Sequence, residues 1–123
     1  MEEHPMVTDQ DATKLTVFLS EDDRAGHRGL HEVLLERARE DGLAGATVWR
    51  GIEGFGASGR LRTARFPDAD SGLPVAVEVV DVPEAIDAFL AVVRAVAPGS
   101  FVTRERVRMQ RFAPPAGLPL DDG

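Results

Sequence analysis

The residues in this chain with the most chemistry to offer are glycines and arginines. The stretch GIEGFGASGRLR, residues 51–62, contains four glycines and two arginines. Glycines can take positive φ and let backbone amides approach a ligand closely, so Gly51, Gly54, Gly56 and Gly59 could turn their N–H groups toward phosphate oxygens. The run ends in neither the Gly-Lys-Ser/Thr of a P-loop nor a dinucleotide fingerprint, and taken alone such a glycine run is more often a plain bend. A second cluster is Arg104, Arg106 and Arg108, which alternate along one segment and therefore project from one face of a strand. Such a row can be the charged guard of an exposed sheet edge, or a set of guanidinium forks that converge on an anion.

Other catalytic or metal-binding equipment is sparse. The chain has no cysteine and no tyrosine, which removes disulfides, thiolate zinc sites and cysteine nucleophiles. No Gly-x-Ser-x-Gly nucleophile motif occurs, and no enzyme is expected. His27 and His31, read as one helical turn apart behind Glu21, Asp22 and Asp23, are the nearest approach to an oxygen and imidazole metal site. Helix-face histidines among acids are ordinarily solvated and no tetrahedral set accompanies them, so no metal is expected. The acids could equally favour a helix N-terminus.

These residues need a scaffold, and 123 residues with 43% hydrophobic and 28% charged composition favour one globular domain. Strands are expected at residues 14–20, where Leu15, Val17 and Leu19 share a face, at 44–50, at 73–80 with Val75, Val77 and Val79 on one face, and at 101–109. A first helix carries the stripe Leu30, Val33, Leu34 and Ala38 and ends at Gly42. A second carries Val82, Ile86, Phe89, Leu90 and Val93, with Pro83 in its first turn and Asp81 as its expected cap. Ala-Pro-Gly at 97–99 ends it. The order βαββαβ is the split βαβ of a ferredoxin-like α+β fold: a four-stranded antiparallel sheet with two helices on one face. Residues 1–13 and 113–123 read as mobile tails around a domain spanning 14–112.

Two consequences follow from that arrangement. The helices leave one sheet face uncovered, and its members Phe18, Trp49, Ala76 and Val80 include aromatics whose burial is favourable, which predicts a homo-oligomer packed sheet to sheet. Residues 52–72 join the second and third strands by 21 residues where antiparallel neighbours need two to five, so the glycine run opens a functional arm.

Net charge and termini narrow the partners. Fourteen basic against 21 acidic residues give −7, which disfavours broad nucleic-acid binding, and the strands lack stacking aromatics for RNA. Positive charge is instead local, at Arg50, Arg60, Arg62 and Arg65 and again at Arg104, Arg106, Arg108 and Arg111. The opening MEEHPM is acidic, unlike a signal peptide, and no apolar run approaches the length of a membrane span, so a soluble cytoplasmic protein is expected.

The run LAGATVWRGIEGFG, residues 43–56, together with SEDDRAGHRGLHEVLLERARE before it and LPVAVEVVD after it, resembles the PII-like domain-of-unknown-function family one-ninety. The likeness extends over about residues 14–112. It implies a ferredoxin-like protomer assembled as a homotrimer with its sheets toward the axis, and kinship with PII signalling proteins. Those proteins bind adenine nucleotides in clefts between subunits and act on transporters, enzymes or regulators through a long T-loop between the second and third strands. By that resemblance Gly54, Phe55 and Gly56 match the Gly-Phe-Gly that lines the nucleotide cleft, and Arg104 and Arg106, with Arg108, stand nearest to the phosphate-binding arginines of the last strand. Arg60, Arg62 and Arg65 then fall on the partner-binding loop. The resemblance departs at residues 97–100, where the glycine- and lysine-rich phosphate loop of PII proteins is replaced by four residues without lysine, which puts a triphosphate in question. The nucleotidylated loop tyrosine is also absent. The resemblance thus implies a regulatory protein with an adenine nucleotide or related anion as effector and an unidentified protein partner, such as a membrane transporter. The alternatives are a ligand-free adaptor trimer and a metal-binding trimer.

Overall fold

The computed structural model describes residues 6–65 and 72–114. In chain order it contains β1 (Met6–Ser20), β2 (Arg24–Ala25), β3 (Arg28–Gly29), α1 (Leu30–Glu40), β4 (Gly45–Arg50), β5 (Glu53–Gly54), β6 (Arg62–Thr63), β7 (Pro74–Asp81), α2 (Pro83–Val96) and β8 (Phe101–Phe112). The main sheet has the order β4-β7-β1-β8 with every neighbour antiparallel, and α1 and α2 cover one face. This is the expected ferredoxin-like sheet, with small β2–β3 and β5–β6 hairpins added.

Period-two alternation sets the core. Leu15, Val17 and Leu19 of β1 stand opposite Val79, Val77 and Val75 of β7, and all six are buried against the helices. Leu34 and Ala38 of α1 and Ile86, Phe89 and Val93 of α2 close this core from above, as their helical spacing predicts. The α1 terminus is held by Gly42 at φ 72°, whose N–H donates to the Arg39 carbonyl at 3.1 Å while Leu43 N–H reaches the Ala38 carbonyl at 3.0 Å. This paired closure requires a residue at ease with positive φ, which glycine supplies.

Three expectations need correction. β1 begins at Met6 instead of residue 14: residues 6–13, expected as tail, pair with β8, which itself runs on past residue 109 to Phe112. Asp9, Gln10 and Asp11 are exposed and the buried residues that follow, Ala12 and Thr13, are small, so this extension stamps no apolar alternation on the sequence. The remainder of the two expected tails, residues 1–5 and 115–123, lies outside the described residues. Asp81 does not cap α2. The N-cap is Val82, without a side-chain bond, and the Asp81 carboxylate accepts N–H bonds from Ala44 at 2.9 Å and Val82 at 2.6 Å, which ties the start of β4 to the end of β7. His27 and His31 are not one helical turn apart. His27 lies between β2 and β3, before α1 begins at Leu30.

Candidate functional site

The long connection is closed at its neck. At the end of β4 the Gly51 N–H donates to the Pro74 carbonyl at 2.7 Å, and a Cβ on Gly51 would lie 3.0 Å from Pro74 Cγ, so glycine lets entrance and exit strands touch. Beyond it, β5 and β6 pair as a hairpin. Ala64 N–H donates to the Ile52 carbonyl at 2.8 Å, the Thr63 hydroxyl to Glu53 at 2.9 Å, and Arg65 pairs with Glu53 at 2.6 Å. The Thr63 hydroxyl first, then Arg65, holds the Glu53 carboxyl below its ordinary range. A turn closed by Gly59 N–H to the Gly56 carbonyl at 2.9 Å, with Gly59 at φ 74°, forms the tip.

The acidic turn after β1 grips this arm from outside. Glu21 takes a two-pronged bond from Arg50, Nε to Oε2 at 2.8 Å and Nη2 to Oε1 at 3.0 Å, and the same carboxylate accepts the Leu73 N–H at 3.0 Å. Residues 50 and 73 flank the whole connection, so Glu21 bridges its two ends. Asp22 repeats the pattern further out. Its carboxylate lies 2.5 Å from the Ser20 hydroxyl and 3.4 Å from Arg62 Nη1, and it packs on Gly72, where a Cβ would come within 2.5 Å of it. Gly72 has φ 97°, a further reason for glycine there. The Arg50 fork, then the Leu73 amide, holds Glu21 below its usual range. For Asp22 the Ser20 hydroxyl does most, with Arg62 adding to it.

Above the neck lies a cavity of about 660 Å³. Its floor is the end of the main sheet, at Phe18, Trp49 and Ala76. One wall is the hairpin, with Gly54, Phe55 and Gly56 beside Arg60 and Arg62. The opposite wall is residues 97–100, with Gly99 at φ 90°. The structure thus brings the expected Gly54, Phe55 and Gly56 together with two arginines of the loop, and Arg50 also reaches the cavity. Arg65 is turned to Glu53. The β8 arginines do not line this cavity within the chain. They share the helix-covered side of the sheet, where Arg104 donates to Asp87 of α2 at 2.8 Å and Arg108 bonds Asp9 at 2.6 Å and Asp11 at 2.9 Å.

The uncovered sheet face is built in rows. Register places Phe101, Phe18, Ala76 and Trp49 in one row across all four strands, and the Phe18 and Phe101 rings stack with centroids 4.7 Å apart. Trp49 remains 59% exposed and Phe101 44% exposed, so the expected apolar patch is present and larger by Phe101. Val80 stands two rows away, opposite Lys14 and Gly45. Between them a polar chain crosses the face: Trp49 Nε1 donates to Glu78 at 2.7 Å, and Lys14 pairs with Glu78 at 3.2 Å and Glu105 at 2.9 Å. The Trp49 indole does most to hold Glu78 below its usual range, and Glu105 and then Glu78 raise Lys14.

Metal and membrane features are sparse among the described residues. No group of three or more His, Asp or Glu side chains is arranged to hold a metal there. His31 Nε2 lies 4.0 Å from the Glu32 carboxylate. No helix there is long and apolar enough to cross a membrane.

Comparison with known proteins agrees with this architecture. The family model DUF190, described as "Uncharacterized ACR", matches residues 12–109. A UPF0166 protein of Aquifex aeolicus is 39% identical over 95 residues, covering 77% of this chain and 90% of its own. A UPF0166 protein of Methanocaldococcus jannaschii is 32% identical over 76 residues, covering 62% and 69%. Among solved structures, the nitrogen regulatory PII-like protein CPII of Thiomonas intermedia K12, bound to ADP, AMP and bicarbonate, superimposes with a TM-score of 0.63 at 14% identity, over 85% of this chain and 93% of that one. A Thermus thermophilus protein described as a putative PII-like signaling protein gives 0.56 at 15% identity, over 85% and 92%. The fold is PII-like, and the chain belongs to the DUF190 family.

Proposed function

We propose that this protein is a PII-like regulator that binds an adenine nucleotide, or an anion of related shape, in the cavity at the neck of the 52–72 arm. The observation that carries the reading is the convergence of Gly54, Phe55 and Gly56 with Trp49, Arg60 and Arg62 around about 660 Å³, room for a purine and ribose with an arginine-bearing wall. Aromatic faces suit the base and guanidinium forks suit phosphate. CPII, with the same fold, was solved with ADP and AMP.

The number of phosphates follows from charge. Arg50, Arg60 and Arg62 line the cavity, but Asp23 and Glu53 line it too, and residues 97–100 contribute no cation. AMP or ADP therefore suits it better than ATP. The cavity floor shares Phe18, Trp49 and Ala76 with the uncovered sheet face, so in a trimer packed through that face the ligand lies beside a subunit boundary. Arg104 and Arg106 face the helix side of their own sheet, but they stand on its edge strand β8, and those of a neighbouring subunit are candidate phosphate contacts across that edge. The arm displays Ile52, 79% exposed, and Leu61, 58% exposed, next to Arg60, a surface for a protein partner. The role is regulatory and not enzymatic, and the setting cytoplasmic.

The test is calorimetric titration with AMP, ADP, ATP and cyclic AMP of the purified protein and of two variants, Arg60→Ala/Arg62→Ala and Arg104→Ala/Arg106→Ala. AMP or ADP should bind in the millimolar range or tighter and the first variant should lose binding. Loss in the second as well supports a site shared between subunits. No heat with any nucleotide contradicts the reading.

A further inference from the structure

The cavity and the clasp share two residues. Arg50 and Arg62 line the cavity, yet each is engaged by a carboxylate of the Ser20–Asp23 turn, Arg50 by Glu21 and Arg62 by Asp22. Those two carboxylates also hold the arm shut. Glu21 spans residues 50 and 73, and Asp22 spans residues 62 and 72, so together they close the arm at two levels. Glu21 and Asp22 do not themselves line the cavity, whereas Ser20 and Asp23 at the two ends of the same turn do.

We propose that Glu21 and Asp22 act as a built-in counter-anion, and that an anionic ligand in the cavity draws Arg50 and Arg62 away from them, loosening the clasp and freeing the arm. This deepens the nucleotide reading and rests on it, because it supplies the route from an occupied cavity to a changed loop. A guanidinium offers five donors, but its strongest geometry is a two-pronged bond to one carboxylate or phosphate. Arg50 already spends that geometry on Glu21, and its transfer to phosphate leaves Glu21 holding only the Leu73 side of the neck. The Arg62 contact with Asp22 is longer, 3.4 Å from Nη1 to Oδ2, and so weaker than the Arg50 fork on Glu21. By linkage the effect is reciprocal: the factor by which the bound anion weakens the clasp is the factor by which the clasp weakens anion binding, so loosening the clasp strengthens binding by at most that factor. The turn takes hold through groups remote in sequence. The Ser20 hydroxyl lies within bonding distance of both Asp22, at 2.5 Å, and the Gly72 carbonyl, at 3.0 Å, and the Glu21 N–H donates to the Leu73 carbonyl at 2.9 Å. Release of Asp22 thus reaches the exit of the arm directly.

The experiment compares the full-length wild type with Glu21→Gln, Asp22→Asn and the double variant, which keep size and hydrogen bonding but lose charge. AMP affinity is read by calorimetry, with inorganic phosphate as a second probe. Arm opening in the absence of ligand is read by the rate of tryptic cleavage after Arg60, Arg62 and Arg65. Exposed ion pairs of this kind set the scale at about three- to fivefold per clasp carboxylate. Removing either charge should tighten AMP by that factor and speed cleavage comparably. Circular dichroism confirms that the variants fold; should the double variant fail to fold, the two single variants decide. Equal AMP affinity in wild type and variants overturns the competition and leaves the nucleotide reading standing. Faster cleavage with unchanged affinity likewise overturns it, since the clasp would then be uncoupled from the site. Silence of every protein toward AMP and phosphate overturns both readings.

Discussion

Replacing Gly72 by alanine probes the clasp through sterics alone. At φ 97° a residue with a Cβ is strained by about 1–2 kcal/mol. The new Cβ would sit 2.5 Å from Cγ and Oδ2 of Asp22 and 2.7 Å from Oδ1, so the carboxylate must move. Moving it gives up the contacts with the Ser20 hydroxyl at 2.5 Å and Arg62 at 3.4 Å. Because the Asp22 side chain is 40% exposed, those contacts are discounted to about 1 kcal/mol in all. Gly72→Ala should therefore cost about 2–3 kcal/mol. In an Asp22→Ala background, where no carboxylate has to move, the cost should shrink to the backbone part of about 1–2 kcal/mol. Urea unfolding followed through Trp49, the single tryptophan, measures both at one fixed protein concentration, which holds the contribution of any self-association constant. An equal cost in the two backgrounds, or a cost under about 0.5 kcal/mol in the first, refutes the packing of Asp22 on Gly72.

Other consequences are open to simpler assays. Phe89→Ala, at a fully buried position between helix and sheet, should destabilise by about 3–5 kcal/mol in the same unfolding measurement. Trp49→Ala and Phe101→Asp on the uncovered face should shift the protein toward monomer in sedimentation analysis, while far-ultraviolet dichroism stays unchanged. The pH dependence follows from Glu21 and Asp22, whose folded pKa values lie below the ordinary 4.5 and 3.8. Their contribution is complete above those ordinary values and fades as pH falls through the lower folded ones. The urea midpoint difference between wild type and Glu21→Gln/Asp22→Asn should thus be constant from about pH 6 to 8 and should narrow below about pH 4.

How far the sequence discloses the structure depends on the range over which each residue finds its partner. Leu15, Val17 and Leu19, the valines of β7 and the stripes of both helices are legible because burial on one face imposes a short period. Gly42 is legible because a helix end needs a residue at ease with positive φ, and the need is met locally. The Gly54, Phe55 and Gly56 set appears at the cavity because a motif within a few residues carries it. Glu21 and Asp22 read as acids before a helix or as companions of His27 and His31, since their partners Arg50, Arg62 and Leu73 lie 29, 40 and 52 residues away. Complementary charge between SEDD and the arginines of the arm was the one available clue. Asp81 misleads for a related reason: local spacing suits a helix cap, but the Ala44 amide 37 residues away offers a bond that the register of β4 and β7 brings close. The alternation of Arg104, Arg106 and Arg108 gives their common face correctly, yet not which face, because that depends on pairing with β1.

Calorimetric titration of the purified wild-type protein with AMP and ADP tests the central claim most directly. The account predicts saturable heat at millimolar concentration or below, lost in Arg60→Ala/Arg62→Ala. Absence of binding by AMP, ADP, ATP and cyclic AMP alike contradicts it.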